Sequence, residues 1–301
     1  MRKLIASLFA LVVAAGLLAG CGSSESSSSS SNTSTSSSTT IPTQSVDSTI
    51  AATVPSNYKS KGTLIVGTEA QYAPNEFVEN GQIVGMDPDL MKAIGEVIGL
   101  KTQMQEAQFT GIIPGIQSGK YDVGASSFTI TKEREKVVDF VSYFKAGISF
   151  FAKKGTNPGV ETVADLCGKT VAVEKGTVEA EEVEKQNAKC KAEKKPEIKA
   201  EVFPGQSEVN LALSSGRAQV AMADSPVAAY QIKQSNGGFV LVGKTYAFAP
   251  YGIALKKGGG LAQPFQAALK KLIANGTYMK ILEKWGIQEG AITEPKINPE
   301  S

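Results

Sequence analysis

The stretch Ser126-Ser127-Phe128-Thr129-Ile130-Thr131-Lys132-Glu133-Arg134 gathers hydroxyls, backbone N–H groups and an arginine in one short run. A strand-like run over 121–125 precedes it. A helix-like run follows, with Glu133 and Glu135 in its first turn. Acids there suit the positive end of a helix dipole. A strand-to-helix turn of this composition has the chemistry to hold a carboxylate. Arg134 offers a planar, two-pronged donor that matches two carboxylate oxygens. Helix-start N–H groups and the hydroxyls of Ser127 and Thr129 supply neutral donors beside it. The plainer reading of the same spacing is a capped helix with a solvated arginine.

Other polar residues fall just past the ends of expected strands. Glu69 follows a strand expected at 63–67, and Ser126 and Ser127 follow the one at 121–125. Glu174 and Thr177 follow a strand at 170–173, and Asp224 follows one at 220–223. In open α/β sheets, ligands bind outside the carboxyl ends of the strands. Turn and cap residues explain each case singly, but the set less well.

The elements that must position these residues alternate between strand and helix. Asp87-Pro88-Asp89 predicts a helix start, with Asp87 as the N-cap and Pro88 at the first helical position. Leu90, Met91, Ile94, Val97 and Ile98 then share one helical face, and Gly99 stops it. Further strands are expected at 100–105, 148–152, 198–203, 239–242 and 252–255. Helices are expected at 111–118, from 178, and at 207–215, 226–234, 263–274 and 277–285. Such alternation implies mostly parallel, helix-covered sheet. Two such units are expected, changing over near residues 147–152. Residues 238–245 satisfy the phosphate-loop pattern GxxxxGK[ST], but the intervening Phe-Val-Leu-Val reads as a strand rather than a flexible loop.

Composition narrows the chemistry. The 301 residues are 42% hydrophobic with a net charge of +2, so no basic excess argues for nucleic acid. The chain has no histidine, which excludes Ser-His and Cys-His mechanisms and removes the commonest zinc ligand. No metal, cofactor or catalytic residue is expected.

Met1-Arg2-Lys3 followed by apolar residues 4–18 reads as an export signal. Leu18-Ala19-Gly20-Cys21 resembles a lipobox, which implies cleavage before Cys21 and a diacylglycerol on its sulfur. Residues 23–40 are Ser or Thr at 16 of 18 positions, a composition that buries no apolar surface. A disordered tether is therefore expected over 21–57. The two other cysteines, Cys167 and Cys190, are expected to pair in an exported chain, with two free thiols as the alternative.

Several stretches together resemble the bacterial solute-binding proteins of family 3, the polar amino-acid-binding components of ABC importers. They are Gly67-Thr68-Glu69-Ala70-Gln71-Tyr72-Ala73-Pro74, Gly85-Met86-Asp87-Pro88-Asp89-Leu90, Ser126 through Arg134, and Val171-Ala172-Val173-Glu174-Lys175-Gly176-Thr177. Gly216 through Asp224 and the run from Asn275-Gly276-Thr277-Tyr278 to Lys284-Trp285-Gly286 complete the set, in order, over residues 60–288. The lipobox and the cysteine pair further resemble actinobacterial members.

The resemblance implies a two-lobed periplasmic-binding-protein fold of type II. Each lobe would be a helix-covered, mostly parallel α/β sheet, and two crossover strands would join them. Residues 58–147 and 253–290 would form one lobe and 148–252 the other, with a tail at 291–301. Arg134 would clamp a ligand α-carboxylate with Thr129 and N–H groups near Thr177. Asp224 would take the α-ammonium, assisted by Ser127 or the backbone of Ser126. Tyr72 and Phe109 would flank the ligand side chain, and Glu69 and Glu174 would meet its far end. Many relatives carry aspartate at the position of Glu69, and some carry a second hydroxyl at that of Val178.

Two distal glutamates favour a cationic side chain, arginine, lysine or ornithine, with glutamine next. The expected protein is a monomeric receptor, lipid-anchored on the extracytoplasmic face, that hands its ligand to a permease. The rival reading is a cyclohexadienyl-dehydratase-like enzyme on the same fold, with Glu69 or Glu174 as general acid. The Arg134/Asp224 pair fits an amino acid better than prephenate.

Overall fold

The computed structural model describes residues 40–300. The signal segment, Cys21 and the first part of the expected tether lie outside these residues. Two short helices open the described chain, α1 (Ser48–Thr53) and α2 (Ser56–Lys61). Then come β1 (Thr63–Thr68), β2 (Gln71–Tyr72), β3 (Glu76–Glu79), β4 (Gln82–Val84) and α3 (Met86–Ile98). They lead to β5 (Lys101–Glu106), α4 (Phe109–Ser118), β6 (Val123–Thr129), α5 (Lys132–Glu135) and the long β7 (Val138–Lys153). The second run is β8 (Thr170–Glu174), α6 (Val178–Ala192), β9 (Lys199–Phe203), α7 (Gln206–Ser214), β10 (Val220–Asp224) and α8 (Ser225–Gln234). The long β11 (Phe239–Lys256), α9 (Ala262–Ala274) and α10 (Thr277–Trp285) follow.

Eight strands form one sheet in the order β5-β1-β6-β11-β7-β10-β8-β9. The outer trios, β5-β1-β6 and β10-β8-β9, are each parallel. Between them β7 and β11 run antiparallel to each other and to their flanking strands. Each long strand serves both halves of the sheet. On β11, Tyr251 pairs with Thr129 and Phe144, whereas Phe239 pairs with Lys153 at the far end. Between these ends the ladder loses register at Val242/Tyr246 and again at Tyr246/Ala249. The result is the expected two-lobed α/β architecture with two crossover strands.

The separate strands expected at 148–152, 239–242 and 252–255 are segments of these two long ones. Gly147 and Pro250 read as breaks in the sequence, yet both lie inside these strands, Pro250 paired with Lys145 and Gly147 at the register shift between Tyr246 and Ala249. The phosphate-loop pattern likewise falls within β11, up to Thr245.

Packing, more than propensity, holds the helices in place. In the first half, Leu90, Ile94 and Val97 of α3 share a core with Phe265, Leu269 and Leu272 of α9. On the opposite sheet face, Ile112 and Ile116 of α4 meet Phe128 and Phe140. In the second half, Val209, Leu213 and Val227 cover one face, and Val183 and Cys190 of α6 the other. Each such side chain contributes about 1.5–3 kcal/mol by leaving water. Helix α6 buries only Glu179, Val183, Gln186 and Cys190, so its apolar grip is small. A disulfide between Cys190 and Cys167 ties it to the chain after the 3-10 turn Val163–Leu166. A loop of this size gives a disulfide about 3 kcal/mol in the chain-entropy model.

The structure corrects four local expectations. The tether does not run to residue 57, because α1 is ordered from an Asp47 cap. Lys271 binds Asp47 at 2.8 Å, and Val54 is buried in the first-half core. The expected C-terminal tail is docked: Ser142 N–H donates to Lys296 O at 2.9 Å, and Phe140 N–H to Asn298 Oδ1 at 2.7 Å.

Strand β6 continues through Ser126, Ser127 and Phe128 to Thr129, so the opening stretch is strand, and the helix after it is only Lys132–Glu135. Last, Gly85 rather than Asp87 precedes the first turn of α3. A Cβ at Gly85 would meet Asn75 O at 2.1 Å, and its φ is 137°. The neighbouring backbone therefore fixes glycine there, and the turn carries Asp87 inward, where it is 1% exposed.

Candidate functional site

A cavity lies between the two halves of the sheet, at strand ends. All ten residues expected to bind ligand line it: Glu69, Tyr72, Phe109, Ser126, Ser127 and Thr129 from the first half, then Arg134, Glu174, Thr177 and Asp224. Glu76, Val178 and Glu179 line it as well.

Arg134 follows the Thr131 cap, whose Oγ1 accepts the Arg134 N–H at 3.2 Å. Its guanidinium lies 5.5 Å from the Phe109 ring centre and 5.6 Å from that of Phe128. Those two rings stack on each other at 4.7 Å. One prong, Nη1, donates to Thr129 O at 2.6 Å, and Nη2 crosses to Gly176 O at 3.0 Å. The halves touch closely here. A Cβ on Gly176, at φ 82°, would meet Thr110 Cγ2 at 2.6 Å.

Thr177 caps α6. Its Oγ1 accepts from Ala180 N–H at 3.2 Å and donates to Glu174 O at 2.8 Å. Its hydroxyl is thus committed, and the helix offers first-turn N–H groups instead.

Asp224 ends β10 and does not cap α8 with its side chain. Tyr72, from the other half, donates its hydroxyl to Asp224 Oδ2 at 3.0 Å and accepts the Asp224 N–H at 3.2 Å. Tyr72 therefore acts through its hydroxyl as well as its ring.

Ser126 Oγ accepts the Glu69 N–H at 2.9 Å, which joins the two neighbouring strands where both meet the cavity. Ser127 departs from expectation. Its φ is 50°, its hydroxyl donates to Glu76 Oε2 at 3.1 Å, and it receives Asn75 Nδ2 at 2.9 Å. That hydroxyl proton is already used inside the protein, so it is no free donor to a ligand carboxylate.

The electrostatics are one-sided. Five carboxyls line the cavity, Glu69, Glu76, Glu174, Glu179 and Asp224, against the single guanidinium of Arg134. Glu174 is 3% exposed, so it faces inward rather than out to solvent beside Lys175. Burial raises Glu69 to about 7, with Glu106 and Glu208 adding repulsion. Burial raises Asp224 to about 6, against the pull of nearby tyrosine hydroxyls and Arg134. Glu174 is held well above the carboxyl range by burial, then by Glu69, Glu179 and Asp224. Glu179 is raised by burial and then by Asp224. Glu69 Oε1, Glu76 Oε1, Glu174 Oε2 and Glu179 Oε1 are buried with no hydrogen-bond partner among the described residues. A buried, unpaired carboxyl oxygen is costly, so this set calls for a cationic or N–H-rich partner.

Sequence reasoning missed Glu76 and Glu179. Glu179 reads as an acid in a helix first turn, complementing the dipole. Glu76 follows Tyr72 and Pro74 in what reads as a loop. Its nearness to Tyr72 was the only signal available.

Residues 64–288 match the family described as bacterial extracellular solute-binding proteins, family 3. The arginine-binding protein ArgT of Corynebacterium glutamicum is 33% identical over 299 residues, covering 99% of this chain and 96% of its own. The ABC transporter glutamine-binding protein GlnH of Bacillus subtilis is 31% identical over 293 residues, 95% of this chain and 97% of its own. Among solved structures, an ancestral arginine-binding protein bound to arginine superposes with a TM-score of 0.70 at 42% identity, covering 74% of this chain and 98% of that one. The fold is thus that of the two-lobed, type II binding proteins. The chain belongs to the family 3 bacterial extracellular solute-binding proteins.

The raised carboxyls set a pH dependence. Glu69 rises from 4.5 to about 7 and Asp224 from 3.8 to about 6, so the folded chain keeps protons that the unfolded chain has released. Stability from these groups is greatest at low pH and is lost as pH rises through that window. The melting temperature of the ligand-free protein is expected to fall between about pH 4 and pH 7. Glu69→Gln is expected to flatten the fall; a native profile that rises over the same range would contradict the burial of these acids.

Proposed function

We propose that this protein is the binding component of an amino-acid ABC importer and that its ligand is a free L-amino acid with a cationic side chain. The observation that carries this is the excess of five cavity carboxyls over one guanidinium. The arginine-binding relative supports a cationic ligand, and the glutamine-binding one supports a free amino acid more broadly. Arg134 and the first-turn N–H groups of α6 receive the α-carboxylate. Asp224, already held by Tyr72, takes the α-ammonium. Phe109 and Tyr72 border the aliphatic part, and Glu69 and Glu174 meet the distal cation. No bond is broken in this reading. The opposite charges of Arg134 and Asp224 suit an amino acid better than prephenate.

The wider setting follows from the sequence. Cleavage before Cys21 and lipidation of its sulfur would hold a monomeric domain at the extracytoplasmic face of the membrane, where the permease collects the ligand. Among the described residues no helix is long and apolar enough to cross a membrane. Residues 58–147 with 253–290, and 148–252, would act as the two lobes, hinged where β7 and β11 lose register.

Calorimetry tests the ligand. Arginine, lysine or ornithine is expected to bind more tightly than glutamine, and Arg134→Ala to cost about 2–5 kcal/mol of that binding by leaving a desolvated carboxylate unpaired. A native protein that binds glutamine while ignoring the cationic amino acids would overturn the assignment. Scattering tests the hinge: the radius of gyration is expected to shrink with saturating ligand, and equal curves would argue against closure. Cell fractionation tests the anchor. Cys21→Ala is expected to move the protein out of the membrane fraction, and an unchanged distribution would remove the lipid from the picture.

A further inference from the structure

Residues 291–300 follow the 3-10 turn Gln288–Gly290 and lie past residue 288, where the family match ends. Their last part runs along β7. On one edge that strand pairs with β11. On the other edge β10 pairs only with residues 148–151, in the second half of the sheet. In the first half the same edge is taken by residues 296–298. Val141 bridges Ile297 in antiparallel fashion. Ser142 N–H donates to Lys296 O at 2.9 Å, and Asn298 N–H to Phe140 O at 3.1 Å. The Asn298 side chain completes the grip. Its Oδ1 accepts the Phe140 N–H at 2.7 Å, and its Nδ2 donates to Asp139 Oδ1 at 3.0 Å. An open strand edge leaves backbone groups unpaired, and this strap pairs them.

Two paths lead from the strap to Arg134. The first passes through α5, where Glu135 follows Arg134 directly. Glu300 N–H donates to Glu135 Oε1 at 3.0 Å. Glu135 is buried, and its Oε2 has no partner among the described residues, so the strap supplies the hydrogen bond its carboxyl receives there. The Lys257 ammonium donates to the Glu135 carbonyl and lies 3.6 Å from Asp139, which Asn298 also holds. The second path passes through rings. Asn298 fixes the Phe140 backbone on both its N–H and its carbonyl. The Phe140 ring centre lies 6.4 Å from that of Phe128, which the Arg134 guanidinium approaches at 5.6 Å. A helix of four residues, Lys132–Glu135, has too few hydrogen bonds to hold an arginine in place unaided. The Thr131 cap fastens its start, and Lys257 and the strap fasten its end.

We propose, on the ligand reading above, that residues 296–300 are a positioning strap for Arg134: by fastening the end of α5 and the backbone of Phe140, they set the guanidinium where it meets the ligand α-carboxylate. Asn298 and Glu135 do not line the cavity, so they act through Arg134 and not on the ligand. A binding group needs its support held to within about 0.5 Å, and a two-pronged contact is the least tolerant of a shift. The strap therefore bears on one end of the ligand alone. Glu69, Glu174 and Asp224 stand on or just beyond strands that it does not touch.

The test compares arginine with agmatine, its decarboxylated amine, which keeps the guanidinium and an ammonium but has no carboxylate for Arg134. Competition calorimetry on the native protein is expected to show arginine well ahead. Deletion of residues 296–301 leaves Ile292 and Pro295 in place and is expected to shrink the arginine-to-agmatine affinity ratio by about tenfold, through weaker arginine binding with agmatine little changed. Asn298→Gly removes the side-chain anchor and suits the left-handed φ of 46° at that position. It is expected to shrink the ratio in the same direction by a smaller factor, and it decides the matter if the deletion variant does not fold. A strap that served stability alone would lower the melting temperature, or weaken both ligands alike, and leave the ratio as it was. An unchanged ratio in either folded variant therefore overturns the proposal. A native protein that holds agmatine as tightly as arginine would instead remove the carboxylate clamp, and this assignment with it. The native protein alone tells the two failures apart.

Discussion

Taking a charged carboxyl out of water costs several kcal/mol per ion after relaxation, and this protein brings five carboxyls around one cavity with a single guanidinium among them. Glu69 and Glu76 come from the first half of the sheet, and Glu174, Glu179 and Asp224 from the second. Bringing the halves together therefore concentrates like charge. Raised proton affinities are one release, and a bound cation is another. Two contacts across the halves work the other way, Tyr72 on Asp224 and Arg134 on the Gly176 carbonyl. Ring contact between Phe77 and Tyr230 adds to them.

The scaffold earns its precision from strand ends. Glu69, Ser126, Glu174 and Asp224 each stand on or just beyond a strand whose neighbours fix its position through continuous ladders. Arg134 sits on a helix too short to hold itself, and it is positioned by the Thr131 cap, the Thr129 carbonyl and two stacked rings. The second half relies more on covalent support. Helix α6 carries Thr177 and Glu179 at the cavity, yet little apolar surface presses it onto the sheet, and the Cys167–Cys190 bond takes up that role.

The elements with clear periodicity were legible in the sequence. The buried runs of β1, β8 and β10 placed Glu69, Glu174, Thr177 and Asp224 at strand ends, whereas Tyr72 and Phe109 were legible only through the family resemblance. What stayed hidden depends on contacts distant in the chain. Asp87 reads as a helix cap, and only the approach of Asn75 to Gly85 turns it inward. Residues 48–54 look too polar to fold alone, and they fold because α3 and α9 offer a surface. Gly147 and Pro250 look like chain breaks until the partner strand runs past them. Glu76 was invisible for a related reason: its burial arises from Ser127 and Asp87, not from its own neighbours.

The two long strands have a kinetic meaning as well as an architectural one. Most of the cavity wall is buried, and β7 and β11 are the strands that run through both halves. On the proposed hinge, a molecule enclosed there would leave no faster than those strands flex at their register shifts. Residence time would then depend on backbone stiffness at 242–249, away from the carboxyls of the cavity. Affinity and dwell could in that case be altered independently, the first at the carboxyls and the second in the hinge.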